Sequence, residues 1–390
     1  MNRRLNIVIL GVNYYGSMAS AQRIRNLVDG LLLIAPISIV NIITNSNIAI
    51  ADNNAVKPCI VNYNLKNPLS VCKYFNDSVR VLKKSFNPDK NNILYCYGYP
   101  SVQNWKILNK AKKIGYKIIF DIVEKLTAFD LSKASMKNKF KNYTSSKLLQ
   151  RIPQIGSMCF GISSALVDFC NDVCKGQIPV IHLPISVNEQ YIKSFKKVAK
   201  NGAAISVFYG GSFGFKDGIP LLIEGFSRAA EKRRNLELIL TGKVSRQLKD
   251  SLQLLIDNST AKEKIHFLDC LPPDEFYSTM VNADILCMLR VGSEYANAGF
   301  PFKLGEYLAS GNAIIATRTS DVSQYLEHKK HAYLIQPDSV DEIEKAILDL
   351  VADEGLRNYL AHNSASVANE FFSIKKVSNI LYRNLQIIFN

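Results

Sequence analysis

The residues best placed to do chemistry lie in Phe300–Gly311, FPFKLGEYLASG, which runs directly into the apolar stretch Asn312–Ala316. Lys303 and Glu306 are three apart, so on a helix they share one face close to its N-terminus. Pro301 stands where such a helix would begin and Gly311 where it would stop. A lysine at a helix N-terminus suits a phosphate, because the ammonium and the unpaired backbone N–H groups attract the same anion. A carboxylate one turn later suits a pair of sugar hydroxyls. Together these are the requirements of a bound nucleotide.

The elements that must hold this helix alternate along the chain. Leu5–Val12 reads as a continuous apolar strand, followed by a loop at Gly16–Ser20 and a helical stretch through Arg23, Leu27 and Leu31. Further buried strands are expected at 37–44, 93–97, 117–121, 158–162 and 180–184, with lysine-faced helices between them. A polar stretch, Ser186–Gly202, then interrupts the pattern. It restarts with a strand at 204–209, a glycine loop, a helix at 220–230, and strands at 236–240, 265–268 and 285–289. Strands apolar on both faces and separated by helices imply parallel sheets covered on both sides. The 390 residues suit two such domains rather than one core. The expectation is therefore α/β: an N-terminal domain over 1–190, a linker at 191–203, a C-terminal domain over 204–372, and a closing helix over 373–390 that returns to the first domain. Ligands of such sheets bind at the carboxyl ends of the strands, here in a cleft between the two halves.

Charge divides the chain. Residues 1–200 carry 28 lysines and arginines against 10 acids, whereas residues 201–390 carry 20 against 23. Between Leu131 and Arg151 stand Lys133, Lys137, Lys139, Lys141, Lys147 and Arg151 with no acid, interleaved with Phe140, Tyr143, Leu148 and Leu149. That segment is either a solvated lysine-rich face or a surface drawn to anionic lipid headgroups. No nucleic-acid-binding motif accompanies it, so no nucleic-acid partner is expected. No apolar run reaches the length of a membrane span, and the basic start MNRRLNIVILGVNYYG reads as a first strand rather than a signal peptide. The eight scattered cysteines, without a CxxC pair, suit reduced thiols of a cytoplasmic protein. The five histidines give no metal-ligand spacing.

The order of these segments resembles the retaining glycosyltransferases of family 4, which have the GT-B fold of two Rossmann-like doubly wound domains facing a central cleft. The resemblance is carried by VFYGGSFGFKDGIPLLIEGF (207–226), LELILTGK (236–243), IHFLDCLPPDEFYSTMVNADILCML (265–289), AGFPFKLGEYLASGNAIIAT (298–317) and the tail ANEFFSIKKVSNILYRNLQIIF. Looser matches lie at FDIVEKL (120–126), GISSALVDF (161–169) and VIHLPISVNEQYI (180–192).

The resemblance implies a nucleotide-diphospho-sugar donor held by the C-terminal domain. Glu306 would grip the ribose and Lys303 would neutralise the diphosphate as it leaves. Gly210, Gly211 and Ser212 would form the first glycine turn, and Gly299 and Phe300 the loop whose amides face the phosphates or the sugar. Glu294, Asn297 and Lys216 stand near enough to contribute. Gly16, Ser17 and Arg23 would line the acceptor side, with Asp121 and Glu124 orienting the acceptor hydroxyl or capping the next helix. Three positions depart from the family pattern. Ala298 replaces the first of two glutamates eight apart, Ser212 replaces an arginine, and Asp217 occupies the place of a lysine, with Lys216 one residue earlier. Retention in the family is explained by same-face displacement, in which the leaving phosphate takes the acceptor proton, so no strong general base is required. Diphosphate charge would be met by lysine and helix dipoles, so neither a metal nor another cofactor is expected. The expected protein is a glycosyltransferase peripheral to the inner face of the cell membrane, acting on a lipid-linked or polysaccharide acceptor. Two alternatives are a GT-B nucleotide-sugar epimerase and a degenerate, non-catalytic partner in a glycan assembly complex.

Overall fold

The computed structural model of the chain describes residues 4–12, 14, 19–35, 37–44, 56–61, 67–128, 135–198, 204–244 and 246–389. It divides into two units. The first comprises Met1–Ser186 with Ile374–Asn390, and the second Val187–Ser373.

The first unit is built on a parallel sheet of seven strands: β1 (Leu5–Leu10), β2 (Ile37–Thr44), β3 (Val56–Ile60), β4 (Asn91–Tyr97), β5 (Lys117–Ile122), β6 (Met158–Gly161) and β7 (Val180–His182). Their order is β3-β2-β1-β4-β5-β6-β7, the doubly wound pattern in which the chain reverses direction beside β1. All six residues of β1 are buried, as both faces of a helix-covered parallel sheet require. The helix Ala19–Ile34 packs against the C-terminal helix Ile374–Ile387. Gly30 sets their separation. A Cβ there would lie 2.0 Å from the Ser378 hydroxyl and 2.8 Å from the Ile374 carbonyl oxygen.

The second unit repeats the plan with β8 (Ile205–Gly210), β9 (Leu236–Thr241), β10 (Ile265–Leu268), β11 (Ile285–Met288), β12 (Ala313–Thr317) and β13 (Tyr333–Ile335). The order is β10-β9-β8-β11-β12-β13, all parallel. The edge strands β3 and β13 were missed from the sequence, being five and three residues long. The expected linker is corrected where it is described. Residues 191–198 belong to the second unit: the Val198 amide donates to Asn282 Oδ1 at 2.7 Å, and the Tyr191 ring packs edge-on to Tyr277. Residues 199–203 lie outside the described set.

Candidate functional site

In the second unit the carboxyl end of β8 meets the helix Phe302–Ser310. The strand ends in Gly210 and Gly211, and each glycine is required by what lies against it. A Cβ on Gly210 would stand 2.4 Å from the Phe276 ring, and one on Gly211 would stand 2.3 Å from Lys303 Nζ. The Gly211 amide donates to the Thr241 carbonyl at 2.9 Å, and the Gly210 amide donates to the Tyr307 hydroxyl at 3.0 Å. The turn is thus tied to β9 on one side and to the helix on the other. The helix begins after Pro301 and stops at Gly311, whose φ of 66° is the left-handed conformation that terminates helices.

Lys303 is drawn into this corner. Its Nζ donates to the Tyr209 hydroxyl at 2.6 Å, sits 4.0 Å from the centre of the Tyr209 ring, and lies 3.4 Å from Asp217 Oδ1. The Lys303 side chain is 17% exposed and that of Asp217 5%. Burial lowers the ammonium's pKa to about 8, with Arg290 and Lys216 adding repulsion, against the raising effect of Asp217. Burial works in the opposite sense on Asp217, but Lys303, Arg290 and the hydrogen bond from the Gly214 amide overcome it and hold the carboxyl below its usual range. The Ser212 hydroxyl donates to the same carboxylate at 3.2 Å. Ser212 and Asp217 are therefore parts of one small polar cage closed on Lys303.

One turn along, Glu306 is half-buried and its Oε1 accepts from the Tyr277 hydroxyl at 2.7 Å. The arrangement places an ammonium, the opening turn of a nine-residue helix and a glycine turn beside one another, with a carboxylate following. It can bind an anion at the first three and a diol at the last.

The other sequence-predicted donor residues have varied surroundings. Lys216 Nζ lies 5.0 Å from the centre of the Tyr295 ring, and its carbonyl accepts from the Val291 amide at 3.1 Å. Glu294 opens a short helix, Glu294–Ala298, capped by Ser293. Asn297 Oδ1 accepts from the Ser320 amide at 3.1 Å. The Gly299 carbonyl accepts from Arg290 Nη1 at 3.1 Å, beside the Ala296 carbonyl at 2.8 Å. The Phe300 ring is buried against Tyr325 and Phe372, each 5.7 Å away, which leaves only its backbone for the role expected of this loop. Ala298 is only 4% exposed, so its surroundings suit a methyl group rather than a carboxylate.

In the first unit, Arg23 and Asp121 are corrections. They were expected to face an acceptor, but both side chains are 0% exposed and grip one another. Arg23 donates from Nε and Nη2 to the two Asp121 oxygens at 2.8 and 2.9 Å, and from Nη1 and Nη2 to the Pro184 and Leu183 carbonyls at 2.8 and 3.0 Å. This cross-link ties the helix Ala19–Ile34 to β5 and to the segment after β7. Glu124 lies half-buried in the loop that follows β5. Gly16 and Ser17 fall outside the described residues.

Sequence reasoning missed Tyr209, Tyr277, Arg290 and Tyr307. Tyr307 adjoins Glu306 and was legible in principle, whereas Tyr277 and Glu306 are 29 positions apart and meet only through the fold.

Comparison with known proteins agrees with this architecture. Residues 190–367 match the family described as Glycosyl transferases group 1. Over the full length the fold is similar to that of a sucrose-phosphate synthase from Thermosynechococcus elongatus, with a TM-score of 0.78, 13% identity and 99% of each chain covered. It is also similar to Anabaena HepE solved with UDP-glucose, with a TM-score of 0.73, 12% identity, and 98% of this chain and 100% of the other covered. In sequence it is 29% identical over 115 residues to a trehalose phosphorylase of Grifola frondosa, spanning 29% of this chain and only 15% of that protein. The chain thus has the GT-B fold of two Rossmann-like parallel-sheet units, and its residues 190–367 match the model of the glycosyl transferases group 1 family.

Proposed function

We propose that the protein is a retaining glycosyltransferase of family 4 that moves a sugar from a nucleotide-diphospho-sugar to a lipid-linked or polysaccharide acceptor in cell-surface glycan synthesis. The observation that carries this reading is the placement of Lys303 and Glu306 one turn apart on a helix that opens beside the Gly210–Gly211 turn. The diphosphate would sit against Lys303 and the first helix turn, and the ribose diol against Glu306. HepE, solved with UDP and with UDP-glucose, supports a nucleotide-sugar as the ligand class.

In the reaction the bond from the anomeric carbon to the diphosphate oxygen breaks. The acceptor oxygen bonds to that carbon on the same face, and the acceptor proton passes to the leaving phosphate. Charge then accumulates on the diphosphate, where the Lys303 ammonium stabilises it. This scheme uses no metal and no cofactor beyond the co-substrate.

A place on the inner face of the membrane is supported by the helix Met136–Leu149. Its Leu149 is buried, while Met136, Phe140 and Tyr143 are exposed along one stripe among Lys137, Lys139, Lys141 and Lys147. Among the described residues no helix is long and apolar enough to cross a membrane. Each basic residue near an anionic surface contributes about 1 kcal/mol, and salt screens that attraction.

Incubation with UDP-, GDP- and ADP-sugars and with vesicles carrying lipid-linked acceptors tests the reading. The expected outcome is release of one nucleoside diphosphate and a product that keeps the donor's anomeric configuration. An inverted product would remove the same-face mechanism. Absence of turnover with any donor would favour a non-catalytic role.

A further inference from the structure

Glu306 is held by a residue from a different helix. The helix Pro273–Asn282, which follows β10, brings the Tyr277 hydroxyl to 2.7 Å from Glu306 Oε1. The Tyr277 ring is itself fixed by aromatic contacts. Tyr191 and Phe276 meet it edge-on, with centroids 5.3 Å away in each case, and Phe195 lies 5.7 Å away at a 32° tilt. Phe276 continues the chain to Phe208 at 5.9 Å, and Phe208 to Tyr307 at 6.3 Å. Tyr307 in turn receives the Gly210 amide. An unbroken line of rings therefore joins the partner of the carboxylate to the glycine turn.

A glutamate on a helix surface has several rotamers available, and fixing one costs entropy at the moment a ligand binds. A phenol on a caged ring removes that cost beforehand. A carboxylate has about four lone-pair sites, so one hydrogen bond from Tyr277 still leaves acceptor capacity for a diol. We propose that Tyr277 is a positioning residue for donor binding: its hydroxyl presets the Glu306 carboxylate to accept the two ribose hydroxyls, so that it selects ribonucleotides without touching them. This rests on the donor reading given above.

The test uses the tightest binder among UDP, GDP and ADP, its 2′-deoxy counterpart, and four proteins: the unaltered chain, Tyr277→Phe, Glu306→Gln and the double variant. Tyr277→Phe keeps the ring and its packing and deletes only the hydroxyl. Calorimetric titration should show Tyr277→Phe weakening the ribonucleotide about tenfold, since the lost hydrogen bond is to a charged group. The 2′-deoxy counterpart should be weakened much less. The two single changes should also be strongly non-additive in the double variant, because Tyr277 acts only through Glu306. If Glu306→Gln weakens the ribonucleotide while Tyr277→Phe leaves it unchanged, or weakens both nucleotides equally, the positioning role is overturned and the donor reading stands. If no nucleoside diphosphate binds, or Glu306→Gln is without effect, both fall.

Discussion

Each unit contains a cation–carboxylate pair that looks equivalent in a contact list, and the two are opposites. In the first unit Arg23 and Asp121 are fully buried, joined by two hydrogen bonds, with the remaining Arg23 donors turned to the Leu183 and Pro184 carbonyls. In the second, Lys303 and Asp217 are 3.4 Å apart, the lysine is 17% exposed, and its pKa has fallen to about 8. A pair with complete geometry and no access to water is a part of the fold. A longer contact, with a cation that still reaches the surface and that burial weakens, is the one an incoming anion would compete for. The Arg23 guanidinium suits the closed role because it is planar, permanently charged and bidentate. The Lys303 ammonium suits the open one because it is a mobile point charge that titrates.

Asp121→Ala strands a buried guanidinium and should destabilise the first unit by about 3–5 kcal/mol. The single tryptophan, Trp105, lies in the first unit, so its fluorescence during urea unfolding reads that unit selectively. Replacing both partners, as Arg23→Met with Asp121→Leu, should restore most of the loss. Lys303→Ala should do the reverse. The Trp105 transition should stay in place while affinity for nucleoside diphosphates falls by about 10- to 100-fold, the usual range for a charge-assisted phosphate contact.

Acidity separates the pairs next. The Lys303 value in the folded protein lies below that of a free lysine, so the ammonium is present below about pH 8 and is lost as pH rises through it. Diphosphate affinity should therefore decline above pH 8, and binding there should take up protons. Lys303→Arg should flatten the profile. The same depression means that the unfolded chain holds more protons between pH 8 and the ordinary lysine value, so this group favours the folded state increasingly as pH rises across that window. The smallest effect is expected for Gly211→Ala. Its methyl would press on the tip of Lys303 and, at 2.8 Å, on the hydroxyl of the buried Tyr209 rather than on backbone, so stability should fall by about 1–2 kcal/mol. Affinity should drop several-fold as Nζ is displaced.

Much of the second unit was legible in the sequence because local signals and long-range packing agree there. Pro301, Lys303, Glu306 and Gly311 lie within one short segment, and the helix runs as that segment indicates. The first unit was legible as a sheet but not as a site. Arg23 and Asp121 are 98 positions apart, and nothing in their types tells a cross-link from a ligand contact. The Ser212 and Asp217 departures go together in the fold, because the Ser212 hydroxyl donates to the carboxylate that faces Lys303. The Tyr277 contact needed the fold as well, because the aromatic line from Tyr277 through Phe276 and Phe208 to Tyr307 crosses three separate segments of chain.

On the proposed reading, the helix Phe302–Ser310 binds a nucleoside diphosphate through Lys303 and Glu306. Calorimetric titration of UDP, GDP and ADP into the unaltered protein, Lys303→Ala and Glu306→Gln at pH 7 tests it most directly. Saturable one-to-one binding of at least one of the three is expected, sharply weakened in both variants while the unfolding transition followed by circular dichroism, which reads both units, is unchanged. Binding of equal strength in all three proteins would contradict it.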